Sequence, residues 1–147
     1  MRQRSSGRDL VLAKGDYESL AEFRYLLRQF SSFSEAAAAA ADLTPQQHQA
    51  LLAVKGFPGR EEATIGELAE RLNVRHHSVV GLVDRLVDKG LLRRHVDAQD
   101  RRRVQVELTA KAQSLLAKLT RSHRDELRRL APLLQALLQE VERGAAK

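Results

Sequence analysis

Apolar positions recur at helical spacing along most of the chain, and at strand spacing in one short stretch. After Gly15-Asp16, Leu20, Phe23, Leu26, Leu27 and Phe30 fall on one helical face. Asp16 is a suitable N-cap, and the helix is expected to run through the alanine stretch to about Asp42. Thr44-Pro45-Gln46-Gln47 is a capping box with proline at the first helical position, ahead of Leu51, Leu52 and Val54. Phe57-Pro58-Gly59 closes that helix. Thr64-Ile65-Gly66-Glu67 is a second capping box, followed by Leu68, Ala69 and Leu72. A tight turn at Asn73-Val74 leads to a helix with Val79, Leu82, Val83 and Leu86 on one face, ended by Lys89-Gly90.

The period then changes to two. Val104, Val106 and Leu108 alternate with Gln105 and Glu107, the pattern of a half-buried strand. Leu91 to Val96 is its partner, and the polar segment 97–103 between them is a hairpin tip. Thr109 opens another helix, expected to reach about residue 130. Pro132 is disfavoured inside a helix, so a separate last helix is expected to begin there. Leu127, Leu130, Leu134, Leu137 and Val141 follow one another at alternating spacings of 3 and 4, a heptad-like seam. The central globule is small for so many leucines, so this seam is expected to join two copies of the chain.

The fold expected is therefore mainly α with a small β-hairpin wing: a winged helix-turn-helix with long N- and C-terminal dimerisation helices. One domain covers residues 1–147, with dimerisation helices at 16–42 and 109–143 and a winged helix-turn-helix lobe at 44–108.

Charge sharpens this picture. The formal net charge is +6 and the pI near 10.2. The charge is unevenly placed. Residues 16–74 carry nine acidic and five basic side chains, whereas residues 75–103 carry eight basic and four acidic ones. The basic block falls on the second helix of the helix-turn-helix and on the wing. Such a helix lies in the major groove with its N-terminal residues at the base edges. Here those residues are Arg75, His76, His77 and Ser78, with Gly81 one turn on leaving room for close approach. Arg85, two turns along, is placed for a phosphate, and Arg101, Arg102 and Arg103 suit the narrow, negative minor groove.

Other chemistries find less support. The chain has no cysteine, which excludes disulfides, thiolate zinc sites and thiol redox sensing. The five histidines lack His-x-x-x-His spacing, so no metal site and no cofactor are expected. No phosphate-binding glycine loop, nucleophile elbow or paired carboxylate suggests an enzyme, and no catalytic residue is assigned. MRQRSSGRDL has no apolar stretch of a secretory signal and no run approaches a membrane span, so a cytoplasmic protein without membrane contact is expected.

From Thr64 to Ala112 the chain resembles the MarR family of bacterial winged-helix regulators. The resemblance is carried by Glu67-Leu68-Ala69, by Val83-Asp84-Arg85-Leu86, by Lys89-Gly90-Leu91-Leu92-Arg93-Arg94, by Asp97 with Asp100-Arg101-Arg102, and by Leu108-Thr109. It implies a homodimer on a pseudo-palindromic double-stranded DNA operator, acting as a repressor released by a small, often aromatic, effector. By position, Arg75, His76, His77, Ser78 and Gly81 match the base-facing residues, and Asp100, Arg101 and Arg102 match the wing motif. Asp84 is a candidate partner for Arg102. Arg75 and Val80 stand where the family often has Ser or Thr, and Gln99 where it often has Arg. Phe23, Leu27, Phe30 and His48 are candidates for the effector pocket. The alternatives are a metal-responsive regulator and a winged-helix adaptor that binds protein.

Overall fold

A computed structural model describes residues 11–145. Five helices and three strands follow one another along the chain: α1 (Lys14–Ala40), α2 (Pro45–Lys55), β1 (Glu62–Thr64), α3 (Ile65–Leu72), α4 (His76–Asp88), β2 (Leu92–Val96), β3 (Val104–Leu108) and α5 (Ala110–Ala145). The chain divides into two compact units, one of residues 33–124 and one made of the chain up to Ser32 and from Asp125 onward.

Local chemistry sets the element ends in the larger unit. Thr44 and Thr64 each accept from the backbone amide three residues on, and Gln47 and Glu67 each return a bond to the cap amide, so both capping boxes are complete. The α3–α4 turn depends on Asn73, which takes the left-handed conformation at φ 53°. Asparagine tolerates this region better than most residues. It allows the Val74 amide to reach back to the Ala69 carbonyl. Gly90 does the same after α4 at φ 72°, and the Leu91 amide reaches Leu86.

The core of this unit joins every element. Leu51 and Val54 of α2, Leu68 of α3, Val79, Val83 and Leu86 of α4, and Leu92 and Val106 of the sheet are fully enclosed. Ala38 reaches the same core, and Ala37 and Ala41 pack against it. The three strands form an antiparallel sheet in the order β1-β3-β2. Thr64 and His95 both stand opposite Gln105, and Glu62 and Arg93 both stand opposite Glu107. These residues share the outer face, while Ala63, Leu92, Val106 and Leu108 face the core.

Strand β1 was not apparent in the sequence. It is three residues long, too short to display a period, and forms because β3 offers it an edge. The expected break at Pro132 is also corrected: α5 runs unbroken over 36 residues with Pro132 inside it. A proline there removes one backbone bond. The apolar stripe nevertheless continues across it, with Leu130 and Leu137 buried together with Leu26 and packed by Phe30 and Leu134.

That cluster divides the heptad-like seam. Leu130, Leu134 and Leu137 belong to the core of the smaller unit, whereas Leu127 and Val141 are about half exposed. Leu20, Phe23, Leu138 and Val141 line an open groove on this unit. Among the described residues no helix is long and apolar enough to cross a membrane.

Candidate nucleic-acid interface

The α3–turn–α4 segment is a helix-turn-helix whose second helix is half buried by design of its sequence. Val79, Leu82, Val83 and Leu86 recur at spacings of three and four and fill one face. The residues left outside are the polar ones. Arg75, His76, His77 and Ser78 are exposed together at the N-terminus, and Arg85 is exposed further along. Arg75 occupies the N-cap position but makes no side-chain capping bond. Its guanidinium is thus not committed to the helix end, where Ser or Thr would be. Gly81 faces Arg85: a Cβ built on Gly81 would meet the Arg85 Nη1 at 3.5 Å. That is ordinary contact, so the space above Gly81 is shared with the arginine.

The wing tip is shaped by two aspartates. The Asp97 Oδ1 accepts from the Gln99 amide at 2.9 Å, and the Asp100 Oδ1 accepts from the Arg102 amide at 3.0 Å. Backbone bonds from Asp97 to the Arg103 carbonyl and from Arg103 to the Asp100 carbonyl close the turn. The Gln99 amide, followed by the Gln105 side chain, holds the Asp97 carboxyl below its usual range. Asp100 therefore has a defined structural task, and the exposed Arg101 and Arg102 project from the turn it stabilises.

Two ion-pair groups tie this hairpin to the helices. Asp84 of α4 pairs with Arg94 of β2. The suggested Asp84–Arg102 pairing is thereby corrected: Arg94 lies on the adjoining strand, while the amide of Arg102 is engaged in the tip turn. Glu67 of α3 forms the second group. It completes the Thr64 capping box, binds Arg60 and approaches Arg103 to 4.0 Å. Arg60 in turn covers the Phe57 ring, with 4.2 Å from its guanidinium carbon to the ring centre. Arg103 thus has a carboxylate neighbour that Arg101 and Arg102 lack among the described residues.

The four effector-pocket candidates fall in different units of the chain. Phe23 and Leu27 are partly exposed on α1, and Phe30 packs against the Leu26–Leu130–Leu137 cluster, all in the smaller unit. His48 lies in the larger unit and is 3 % exposed. Its neighbours there were not foreseen. The His123 ring centre is 4.8 Å away and tilted, and Phe33 packs edge-on to His123. The His123 ring bonds through Nδ1 to the Leu119 carbonyl at 2.7 Å and through Nε2 to the Ser34 hydroxyl oxygen at 2.9 Å. The His48 Nδ1 is buried and makes no hydrogen bond among the described residues. No periodic signal could have paired His48 with His123, which are 75 positions apart in the chain.

Burial, and then the nearby His123, hold His48 below its ordinary pKa of 6.5. The unfolded chain therefore binds this proton more readily than the folded one. Stability from a neutral His48 is present above about pH 6.5 and is lost as pH falls through the lowered folded value. The urea midpoint is expected to fall between about pH 7.5 and about pH 5.5, and His48→Gln to reduce that fall. Equal falls in both proteins would contradict this assignment. Asp97 and Glu126 also have lowered pKa values, but from ordinary values of 3.8 and 4.5, so their window lies at lower pH.

The sequence profile of the MarR family matches residues 41–103. Several solved structures share the fold. MepR, a transcription regulator of the Staphylococcus aureus multidrug efflux pump MepA, is 22% identical with a TM-score of 0.72, over 88% of this chain and 98% of that one. AbsC, a MarR family transcriptional regulator from Streptomyces coelicolor, is 18% identical with a TM-score of 0.69, over 94% and 99%. A MepR F27L mutant from S. aureus bound to an oligodeoxyribonucleotide is 23% identical with a TM-score of 0.64, over 88% and 97%. Residues 41–103 are thus similar to the MarR family's profile, and the chain shares the fold of these solved structures.

Proposed function

We propose that this protein is a sequence-specific DNA-binding transcriptional regulator, a homodimeric repressor released from a pseudo-palindromic operator by a small effector. One observation carries the reading. The buried face of α4 leaves Arg75, His76, His77 and Ser78 exposed together at its N-terminus, in the same compact unit as the exposed Arg101 and Arg102. In this reading Arg75, His76, His77 and Ser78 meet base edges and Gly81 permits the approach. Arg85 and Arg103 take phosphates, Arg101 and Arg102 enter the minor groove, and Asp100 holds the tip in shape. The MepR mutant of the same fold is bound to an oligodeoxyribonucleotide, which supports the assignment. The activity is recognition rather than catalysis.

The exposed apolar groove of Leu20, Phe23, Leu138 and Val141 favours a second copy of the chain as partner. The unpaired, buried His48 Nδ1 beside His123 and Phe33 favours an effector with a hydrogen-bonding group on an aromatic or apolar body. The direct test is titration of DNA from upstream of the protein's own gene against scrambled DNA. Sequence-selective binding at nanomolar protein near physiological salt is expected. Binding that is only non-specific and disappears at that salt would favour the protein-binding adaptor instead. Light scattering is expected to give twice the 16.5 kDa chain mass.

A further inference from the structure

The outer face of the wing sheet brings together three metal-ligating side chains from three strands. Glu62 of β1, His95 of β2 and Glu107 of β3 each offer one donor atom, and the three donors lie within 4.8 Å of one another. His95 Nε2 and Glu62 Oε2 are 2.8 Å apart. We propose that this face is a binding site for a divalent transition-metal ion of the zinc class, held by one imidazole and two carboxylates.

The sheet register creates the site. Glu62 and Glu107 stand directly opposite each other on neighbouring strands. Like charges in that position repel. Among the described residues, the arginine paired with them is Arg93, whose Nε donates to Glu107 Oε1 at 2.8 Å. Glu107 Oε2 is thus left available to a second cation. A divalent ion between the strands neutralises both carboxylates, and the neighbouring imidazole supplies the nitrogen ligand that zinc favours. Zinc bonds of about 2.0–2.2 Å place tetrahedral donors roughly 3.4 Å apart. The three donors already lie within 4.8 Å of one another, so they are near enough for one ion to draw them together. The next row of the same face adds a polar residue. Gln105 is 3 % exposed, stands opposite His95, and its Oε1 has no hydrogen-bond partner among the described residues. The face is therefore under-neutralised and under-bonded while its opposite side is closed core.

Partial exposure of all three ligands leaves the ion open to solvent on one side, with water completing its shell. An ion there clamps β1, which enters α3 directly, to both strands of the wing. No ligand spacing along the chain announces this, because Glu62 and His95 are 33 residues apart and meet only across β3.

The test is calorimetric titration of the full chain with Zn²⁺, with Co²⁺ absorbance as a second readout. One ion per chain is expected. His95→Ala and Glu62→Gln are each expected to weaken binding on the order of tenfold or more, and circular dichroism checks that both variants fold. Arg93→Ala, which removes the competing cation from Glu107, is expected to tighten it severalfold. The double variant His76→Ala with His77→Ala is expected to leave it unchanged. Absence of one-to-one binding, or wild-type affinity in folded His95→Ala, would overturn the proposal. So would loss of binding in the His76/His77 variant. No DNA enters this titration, so its outcome is independent of the regulator reading.

Discussion

Leu86→Ala is expected to lower the stability of the winged-helix unit by about 2–5 kcal/mol, the range seen when a fully buried leucine is truncated. Leu86 is completely enclosed, at the centre of a core shared by α2, α3, α4 and the sheet. The shortened side chain leaves a cavity that packed helices can close only in part. With a urea slope of about 1–3 kcal/mol per molar, the midpoint drops by roughly 1–3 M at unchanged slope. Val96→Ala is the control. Val96 is 55 % exposed on the same unit, and its truncation is expected to cost no more than about 0.5 kcal/mol. Equal midpoints for Leu86→Ala and wild type would show that α4 is not anchored as described, and with it the presentation of Arg75 to Ser78.

The elements of this lobe were legible because their signals are local. Both capping boxes, the Asn73 turn, the Lys89-Gly90 stop and the alternation of Val104 to Leu108 are decided within a few residues. The features missed depend on distant partners. Three residues of β1 become a strand only against β3. Pro132 reads as a break when the chain is considered alone, yet the leucines on either side of it are buried in a common cluster. Asp84 was expected to reach Arg102 because it faces the wing; its observed partner, Arg94, depends on which strand runs past α4.

The candidate sites divide along the same line. Arg75, His76, His77 and Ser78 could be picked out from sequence because helical period alone decides which face of α4 stays outside. The His48–His123 pair and the Glu62–His95–Glu107 face could not, because each is assembled by tertiary packing or by strand register. Phe23 and Leu27 illustrate the converse. Their spacing marks them as one apolar face of α1, but spacing says nothing of what covers that face.

Arg101→Ala combined with Arg102→Ala is expected to flatten the salt dependence of DNA binding, and Arg75→Ala to change its sequence preference. The contrast follows from position. Arg101 and Arg102 project from a turn held by Asp97 and Asp100, and neither has a carboxylate partner among the described residues that would offset its charge. Each minor-groove arginine displaces about one condensed counterion, so removing both lowers the slope of log affinity against log salt by about 1.8 per protomer, about 0.9 for each. Affinity then falls on every sequence, and most where the site edge is A·T-rich and its minor groove narrow. Arg75 stands instead at the first turn of α4, uncommitted to capping. Its removal is expected to cost about 1–3 kcal/mol on the preferred operator, with a smaller loss on scrambled DNA, because a bidentate base contact is selective. Anisotropy titrations of the operator and of scrambled DNA at several salt concentrations separate the two effects. An unchanged slope in the double variant would remove the wing tip from the interface, and equal losses on both DNAs for Arg75→Ala would reassign that residue to a phosphate.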